Sequence, residues 1–125
     1  MKPNARLKVK INDTIRPKTL EDFQAMFDDI YPSERRTLAD AGVHFAEEVG
    51  EISEAVHNYL GQHQKKQFSE IQLEIADCVS CILGVANSAQ MNFAAELSAL
   101  FKKNCHVCHK VPCRCVFADA VRFKI

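Results

Sequence analysis

The sequence has no net charge, no long apolar run and no internal repeat, and each absence narrows what the protein can be. Its 16 basic residues balance 16 acidic residues, which argues against a chain built to bind nucleic acid. The longest stretch without a charge, residues 78–95, is interrupted by Ser, Asn and Gln and is too short and polar to cross a bilayer. No apolar segment follows the basic residues at the start, so the sequence predicts no signal peptide and a cytoplasmic location.

The composition is that of an ordinary folded domain. The chain has 125 residues, of which 47% are apolar and 26% charged, so it suits one compact domain and not a disordered segment. The charge is unevenly distributed, because residues 37–101 carry nine acidic residues and only Lys65 and Lys66, a net charge of −7 between basic ends. An acidic centre indicates either a bound cation or a surface that repels nucleic acid.

The spacing of apolar residues predicts an all-α fold, an antiparallel bundle of about four helices with an irregular C-terminal knob rich in cysteine. The predicted helices start at capping residues and end near residues 30, 60, 88 and 101. The predicted N-caps are Thr19, Ser33, Ser69 and Asn92. Residues 61–68 read as a polar connection, and residues 6–11 and 120–125 alternate loosely enough to be short strands.

Apolar stripes mark the faces of the two long helices that are expected to pack. The stripe of the second helix consists of Leu38, Phe45, Val49, Ile52, Val56 and Tyr59. The buried face of the third helix is predicted to consist of Ile71, Ile75, Val79, Ile82 and Ala86.

Acidic residues form a second pattern on the same two helices. Four lie in one sector of the second helix, roughly opposite its apolar stripe, and three share a sector of the third helix. They are Glu47, Glu48, Glu51 and Glu54 on the second helix and Glu70, Glu74 and Asp77 on the third. Like charges at i, i+3 and i, i+4 repel unless a cation neutralises them, and neither stretch offers a nearby Lys or Arg on the same face.

A short connection would place these acidic sectors side by side. Glu51 and Asp77 are each roughly 12–14 Å from the predicted connection, so both carboxylate pairs can meet at one level. Oxygen ligands of this kind suit Mg²⁺. The alternative is that both acidic faces are solvated surfaces balanced by the basic ends of the chain.

The phrases EEVGEISEAV, from Glu47 to Val56, and EIADCVSCILGVAN, from Glu74 to Asn87, resemble the MazG-like all-α nucleoside triphosphate pyrophosphohydrolases. That family carries an ExxE…ExxD signature, and here the two halves, Glu48–Glu51 and Glu74–Asp77, are separated by 22 residues. The resemblance covers roughly residues 19–104. It extends through the short helix to Phe101-Lys102-Lys103-Asn104.

The resemblance implies an enzyme and a set of site residues. Glu48, Glu51, Glu74 and Asp77 would bind Mg²⁺ for hydrolysis of a nucleoside triphosphate, most simply a deoxynucleoside triphosphate, to the monophosphate and pyrophosphate, which would cleanse the nucleotide pool. It also implies a homodimer or homotetramer.

Further site residues are predicted with less direct support from the family pattern. Glu47 adjoins the metal ligands and is predicted to orient or deprotonate the attacking water. Lys102 and Lys103 are predicted to bind the leaving phosphates, with a solvated helix end as the alternative. Asn87 and His44 are also within possible reach of the pocket, although His44 fits a surface histidine as well.

The four cysteines Cys105, Cys108, Cys113 and Cys115 have the spacing CxxC-x4-CxC. Four thiolates in this arrangement suit a structural Zn²⁺ ion, with His106 or His109 as possible substitute ligands. Two further cysteines, Cys78 and Cys81, also read as CxxC. They lie within a predicted helix and not at a helix N-terminus after a strand, so redox chemistry is disfavoured and small helix residues are expected.

These patterns divide the chain into an N-terminal extension, residues 1–18, a helical catalytic domain, residues 19–104, and a metal-binding tail, residues 105–125. The alternative to an enzyme is a helical binding module whose zinc knuckle contacts nucleic acid or protein, since Lys110 and Arg114 flank the cysteines.

Overall fold

A computed structural model describes residues 16–116, and within that range the chain forms four α-helices, one short 3₁₀ helix and no strand. The helices are α1 (Leu20–Ile30), α2 (Leu38–Gln62), α3 (Lys65–Ser88) and α4 (Phe93–Leu100), and the 3₁₀ helix is Ser33–Arg35. The all-α prediction is confirmed. The two predicted strands, residues 6–11 and 120–125, lie outside the described residues. Between residues 16 and 116, no helix is long and apolar enough to span a membrane.

Two of the four predicted N-caps are confirmed and two are wrong. Thr19 accepts a hydrogen bond from the backbone N–H of Asp22, and Asn92 caps α4 in the same way. Ser33 starts the 3₁₀ helix instead, and the hydroxyl of Thr37 caps α2. A serine hydroxyl can equally satisfy a carbonyl one turn back, so it does not always mark a helix start.

Ser69 bonds to a carbonyl one turn back in this way. Its hydroxyl donates to the carbonyl of Lys65, inside α3, which begins four residues earlier than predicted. The connection between α2 and α3 is therefore only His63 and Gln64. His63 has a positive φ of 53° and donates its backbone N–H to Tyr59, which ends α2. So short a turn makes α2 and α3 an antiparallel hairpin.

The chain divides into two compact units, the first ending at Met91 and the second beginning at Asn92. In the first unit, α1 packs against the end of α3. The buried Gln24 donates its amide to the carbonyl of Met91, and Asn87 donates its amide to the carbonyl of Gln24. The side chain of Arg36 lies directly over Gly84, where a Cβ would collide with it, so the 3₁₀ segment also packs onto α3.

The first unit buries few large apolar side chains. Its core, among the described residues, consists of Ala41, Ala55, Leu83 and Ala86. The predicted buried face of α3 is partly wrong, because Ala86 is buried whereas Ile75 and Val79 are 50% and 44% exposed. On α2, the stripe residues Leu38 and Val49 are 51% and 45% exposed. The apolar stripes therefore lie only partly at the contact between α2 and α3, where Phe45, Ile52 and Tyr59 are half-buried. The ring of Tyr59 packs against that of Phe68 on α3, with centroids 5.7 Å apart.

Candidate active site and cysteine cluster

The seam between α2 and α3 runs along one line of small residues and one acid. The buried residues of α2 are Ala41, Glu48 and Ala55, which recur every seven residues and so share one side of the helix. Alanine on this side lets the two helices approach closely. Glu48 takes the position of a core residue between the two alanines and is only 7% exposed.

This seam corrects the predicted orientation of Glu48. The sequence placed it in an acidic sector opposite the apolar stripe, but the line through Ala41, Glu48 and Ala55 lies roughly 70° from the centre of that stripe. Each long helix thus turns the border between its apolar and acidic sides toward its neighbour. As a result the acids of both helices border the seam.

Three carboxylates from the two helices converge there. One oxygen each of Glu48, Glu74 and Asp77 lies within 4.8 Å of the others. Glu51 is close enough to act on both Glu48 and Glu74 through charge and hydrogen bonding. The structure therefore brings together all four residues of the predicted magnesium site. Glu47 is exposed and is not one of the converging carboxylates.

Crowding and burial make two of these carboxyls, Glu48 and Glu74, hard to ionise. Burial, with the charges of Asp77 and Glu51, raises the pKa of Glu48 to about 7. Burial, followed by a hydrogen bond and the charge of Glu51, also raises the pKa of Glu74. In the absence of a cation, a proton must therefore supply part of the neutralising charge.

Two carboxylate oxygens in this cluster lack the partners that buried oxygens normally have. Among the described residues, Glu48 Oε2 and Glu74 Oε2 are buried and have no hydrogen-bond partner. A buried oxygen of this kind is costly unless a proton or a cation binds it. The donor set, the burial and the missing partners together fit a divalent metal ion with oxygen ligands.

A groove of about 190 Å³ adjoins the cluster along the acidic side of the hairpin. Four of its six lining residues are acidic: the lining consists of Glu51, Glu54, Ala55, Asn58, Glu70 and Glu74. Asn58 was missed by the sequence reasoning, although it follows Glu51 and Glu54 at helical spacing on the same side. That spacing was the signal by which it could have been found.

His44 and Cys81 border the opposite end of the cluster. His44 Nε2 lies 3.8 Å from Glu48 Oε1, and the histidine side chain is 53% exposed. Cys81 is half-buried, and its Sγ lies within 4.8 Å of the ligand atoms of both His44 and Glu48. Burial raises the pKa of both Cys78 and Cys81, so neither thiol is activated for redox chemistry.

The remaining predicted substrate residues follow these carboxylates in the sequence, near the end of α3 and just after α4. Asn87 is half-buried and its amide is held by the carbonyl of Gln24. Lys102 and Lys103 belong to the second unit, where they are exposed just after α4. Their roles in binding substrate stay predictions.

The second unit gathers four cysteines into one cluster. The Sγ atoms of Cys105 and Cys115 are 3.9 Å apart, as are those of Cys108 and Cys113, and Cys105 and Cys113 are separated by 3.5 Å. A Zn²⁺ ion with four sulfurs at about 2.3 Å sets neighbouring sulfurs about 3.8 Å apart. The thiols are free and far from the roughly 2 Å of a disulfide.

Backbone amides point at these sulfurs. Val107 donates to Cys105 Sγ, Arg114 to Cys108 Sγ and Cys115 to Cys113 Sγ, at 3.3–3.4 Å. The Arg114 amide is the main cause that lowers the pKa of Cys108 to about 6, whereas burial and the neighbouring thiols raise the pKa of Cys115 to about 12. Backbone amides thus lower the pKa of Cys105 and Cys108, whereas the neighbouring thiols contribute to the raised pKa of Cys113 and Cys115. A bound cation would favour the thiolate at all four positions.

The two histidines of this unit differ in their surroundings. The ring of His106 packs edge-on against Phe101, with centroids 5.2 Å apart. His109 is exposed and has a positive φ of 61°, at the turn where its backbone N–H donates to the carbonyl of Cys105. The four sulfurs lie within 4.8 Å of one another and offer as many ligands as a tetrahedral ion takes, so the cluster does not require a histidine ligand.

The helical hairpin is thus an all-α arrangement whose carboxylates converge across the seam, where they could hold a metal ion through oxygen ligands. Comparison of the sequence with models of known protein families identifies the family. The profile of the MazG nucleotide pyrophosphohydrolase domain matches residues 36–115, more than half of the chain. The chain belongs to this family and is a pyrophosphohydrolase-type enzyme, as the resemblance implied.

The family match extends further toward the C-terminus than the resemblance found in the sequence, which covered residues up to about 104. It ends at residue 115, and so includes the four clustered cysteines. No curated protein and no solved structure matches the chain.

Proposed function

We propose that the protein is a Mg²⁺-dependent hydrolase that cleaves a nucleoside triphosphate, or its deoxy form, between the α- and β-phosphates. The products are the nucleoside monophosphate and pyrophosphate, and the reaction would remove unwanted nucleotides from the pool. The observation that supports this proposal most is the convergence of Glu48, Glu74 and Asp77 within 4.8 Å, on a hairpin of the MazG family.

The ligand set suits Mg²⁺ better than a softer ion at this point of the seam. Glu48, Glu51, Glu74 and Asp77 offer only hard carboxylate oxygens, and the adjoining groove leaves room for the water molecules that Mg²⁺ retains. Bound there, Mg²⁺ would neutralise the triphosphate and lower the pKa of a coordinated water.

The other site residues act on the substrate and the attacking water. Glu47 immediately precedes Glu48 in α2 and its side chain is exposed to solvent. It is proposed to orient the attacking water or to accept its proton. Lys102 and Lys103 are proposed to stabilise the charge that builds up on the leaving pyrophosphate, and Asn87 to contact the substrate. The assignments of Glu47 and Asn87 rest on their position and chemistry, and the family pattern gives the two lysines only loose support.

The cysteine cluster is proposed to hold a structural Zn²⁺ ion. Cys105, Cys108, Cys113 and Cys115 have sulfur spacings that match a tetrahedral site, and three backbone amides support their thiolates. The tail that they close is too short to form an apolar core of its own, so metal binding would supply its folding free energy.

We also propose that the enzyme is a homo-oligomer, assembled through the apolar side of the hairpin. On each long helix, the acidic residues lie on one side of the seam and the apolar stripe lies on the other side. Because α2 and α3 are antiparallel, both stripes lie on the same side of the hairpin. Val49, Ile75 and Val79 are each at least 44% exposed on that side, and a second copy would bury them.

Product analysis tests the proposed reaction. The protein is incubated with a panel of ribo- and deoxynucleoside triphosphates, with and without Mg²⁺, and the phosphates are separated. Equal amounts of monophosphate and pyrophosphate, formed only with Mg²⁺, are expected. Release of orthophosphate alone, or survival of every nucleotide, would contradict cleavage of the α–β bond.

A further inference from the structure

A second group of metal-ligand atoms lies on the seam beside the carboxylate cluster. His44 and Glu48 are one helical turn apart on α2, and Cys81 lies one turn beyond Asp77 on α3. One ligand atom from each of the three residues lies within 4.8 Å of the others. Glu48 belongs to both groups, so the two groups share one carboxylate.

The donors of this group differ in kind from those of the carboxylate cluster. An imidazole nitrogen, a thiol sulfur and one carboxylate oxygen favour Zn²⁺ and similar transition metals over Mg²⁺, which prefers oxygen. Tetrahedral Zn²⁺ requires ligand atoms about 3.3–3.8 Å apart. His44 Nε2 and Glu48 Oε1 are 3.8 Å apart, and the ligand atom of Cys81 lies within 4.8 Å of the other two. A bound Zn²⁺ ion would have to draw the sulfur closer by at most about 1.5 Å.

The state of Glu48 is an independent indication that a ligand binds here. Its side chain is more than nine-tenths buried, and, among the described residues, its Oε2 has no hydrogen-bond partner. His44, in contrast, is 53% exposed. The group therefore combines an anchored acid inside the seam with a histidine in contact with solvent, through which an ion can enter. Three protein ligands leave a fourth tetrahedral position for water.

We propose that His44, Glu48 and Cys81 form a transition-metal site, and that Zn²⁺ bound there inhibits the enzyme by withdrawing Glu48 from Mg²⁺. A carboxylate held by Zn²⁺ between histidine and cysteine is no longer free to complete the oxygen ligand set with Glu74 and Asp77. The inhibition rests on the proposed Mg²⁺-dependent activity, whereas the binding of Zn²⁺ does not.

Zinc titration of the full-length protein, in competition with a chromophoric chelator, tests the binding. The wild-type chain is expected to take up about two Zn²⁺ ions, one at the four clustered cysteines and one at this site. Cys81→Ala should take up about one. Cys78→Ala is the matched control, since Cys78 is a half-buried cysteine of the same helix outside the group, and it should still take up two.

Three further variants make the interpretation independent of the cysteine cluster and of folding. Cys105→Ser/Cys113→Ser should retain one ion, and adding Cys81→Ala should remove it. His44→Gln, on the exposed side of the site, should weaken the second ion at least about tenfold. Circular dichroism checks that each variant keeps its helices. If Cys81→Ala binds zinc as Cys78→Ala does, the site does not exist.

The inhibition is measured separately, as the loss of Mg²⁺-driven hydrolysis on adding Zn²⁺. Cys81→Ala should need at least about tenfold more Zn²⁺ for half inhibition than wild type or Cys78→Ala. Equal sensitivity of all three would overturn the inhibition. An absence of hydrolysis in every protein would contradict the proposed reaction and leave the zinc titration as the test of the site.

Discussion

Glu48 shows how a single residue can set the character of this site. It sits between Ala41 and Ala55 on the side of α2 that faces α3, where an apolar side chain would ordinarily pack. Burial at that position, next to Asp77 and Glu51, raises its pKa to about 7. An acid kept in such a position opposes folding until a proton or a cation binds it.

The first prediction concerns the stability of the metal-free protein. Because the pKa of Glu48 is about 7 in the folded state and about 4.5 in the unfolded state, the folded state binds more protons between these values. Its stability is therefore expected to fall as pH rises from about 4.5 to about 7, and to fall less in Glu48→Gln. Urea unfolding in a chelator, at several pH values across this range, measures the effect.

Glu54→Gln is the control for this comparison, because it removes an exposed carboxylate of the same helix and should keep the wild-type slope. Added Mg²⁺ should stabilise wild type more at the upper end of the range, where Glu48 no longer holds a proton. If Glu48→Gln and wild type showed the same pH dependence, Glu48 would not be the strained group.

At the scale of single residues, the sequence was enough to find the carboxylates but not their surroundings. The i, i+3 spacing of Glu48–Glu51 and Glu74–Asp77 places each pair on one side of a helix, whatever the helix packs against. The burial of Glu48 depends on which side of α2 faces α3. That side is set by the small residues Ala41 and Ala55, which carry no strong hydrophobic signal.

At the scale of the helices, the errors in the predicted end of α2 and the predicted start of α3 compensated for each other. The sequence placed the α2–α3 connection at residues 61–68, whereas both helices extend to a turn of two residues. Glu51 then lies roughly 17 Å and Asp77 roughly 18 Å from the turn, instead of the 12–14 Å expected. α2 is longer than predicted by about 3 Å and α3 by about 6 Å, so the two distances to the turn still agree within about 1 Å and the carboxylates meet at one level.

The second prediction concerns the cysteine cluster. Cys113→Ser should lose the zinc that co-purifies with the wild-type protein, about one equivalent at the cluster, because it removes one of four sulfur ligands. The α2–α3 hairpin belongs to the other compact unit and should keep its helical circular dichroism. Metal analysis of protein purified without added zinc measures the first effect.

Cys78→Ser serves as the control for a lost thiol, since Cys78 lies within α3 and outside the cluster. It should retain its zinc. A wild-type content below about half an equivalent, or an unchanged content in Cys113→Ser, would count against a structural zinc site.

At the scale of the whole molecule, the hairpin separates two kinds of surface. One side carries the acids and the groove, and the other carries apolar side chains that α1 and the 3₁₀ segment leave exposed among the described residues. The apolar stripes were predictable from period alone. Their partner was not, because a single sequence does not distinguish a stripe that packs within the chain from one that packs against a second copy.

The third prediction tests that second copy. Val49→Glu should weaken self-association at least about 100-fold, because an unpaired carboxylate would be buried in the apolar contact. Val43→Glu is the matched control. Val43 is 61% exposed on the same helix but lies off the stripe. Sedimentation velocity over a range of concentrations measures the change, and equal behaviour of the two variants would contradict the proposed interface.

The central claim is that the carboxylates at the seam hold the Mg²⁺ used for α–β cleavage. The most direct test compares the Mg²⁺-dependent release of pyrophosphate by wild type, Glu48→Gln and Glu54→Gln, with folding checked by circular dichroism. Glu48→Gln should lose at least about 100-fold in rate while keeping its helices, and Glu54→Gln should lose far less. Full activity in a folded Glu48→Gln would contradict the account.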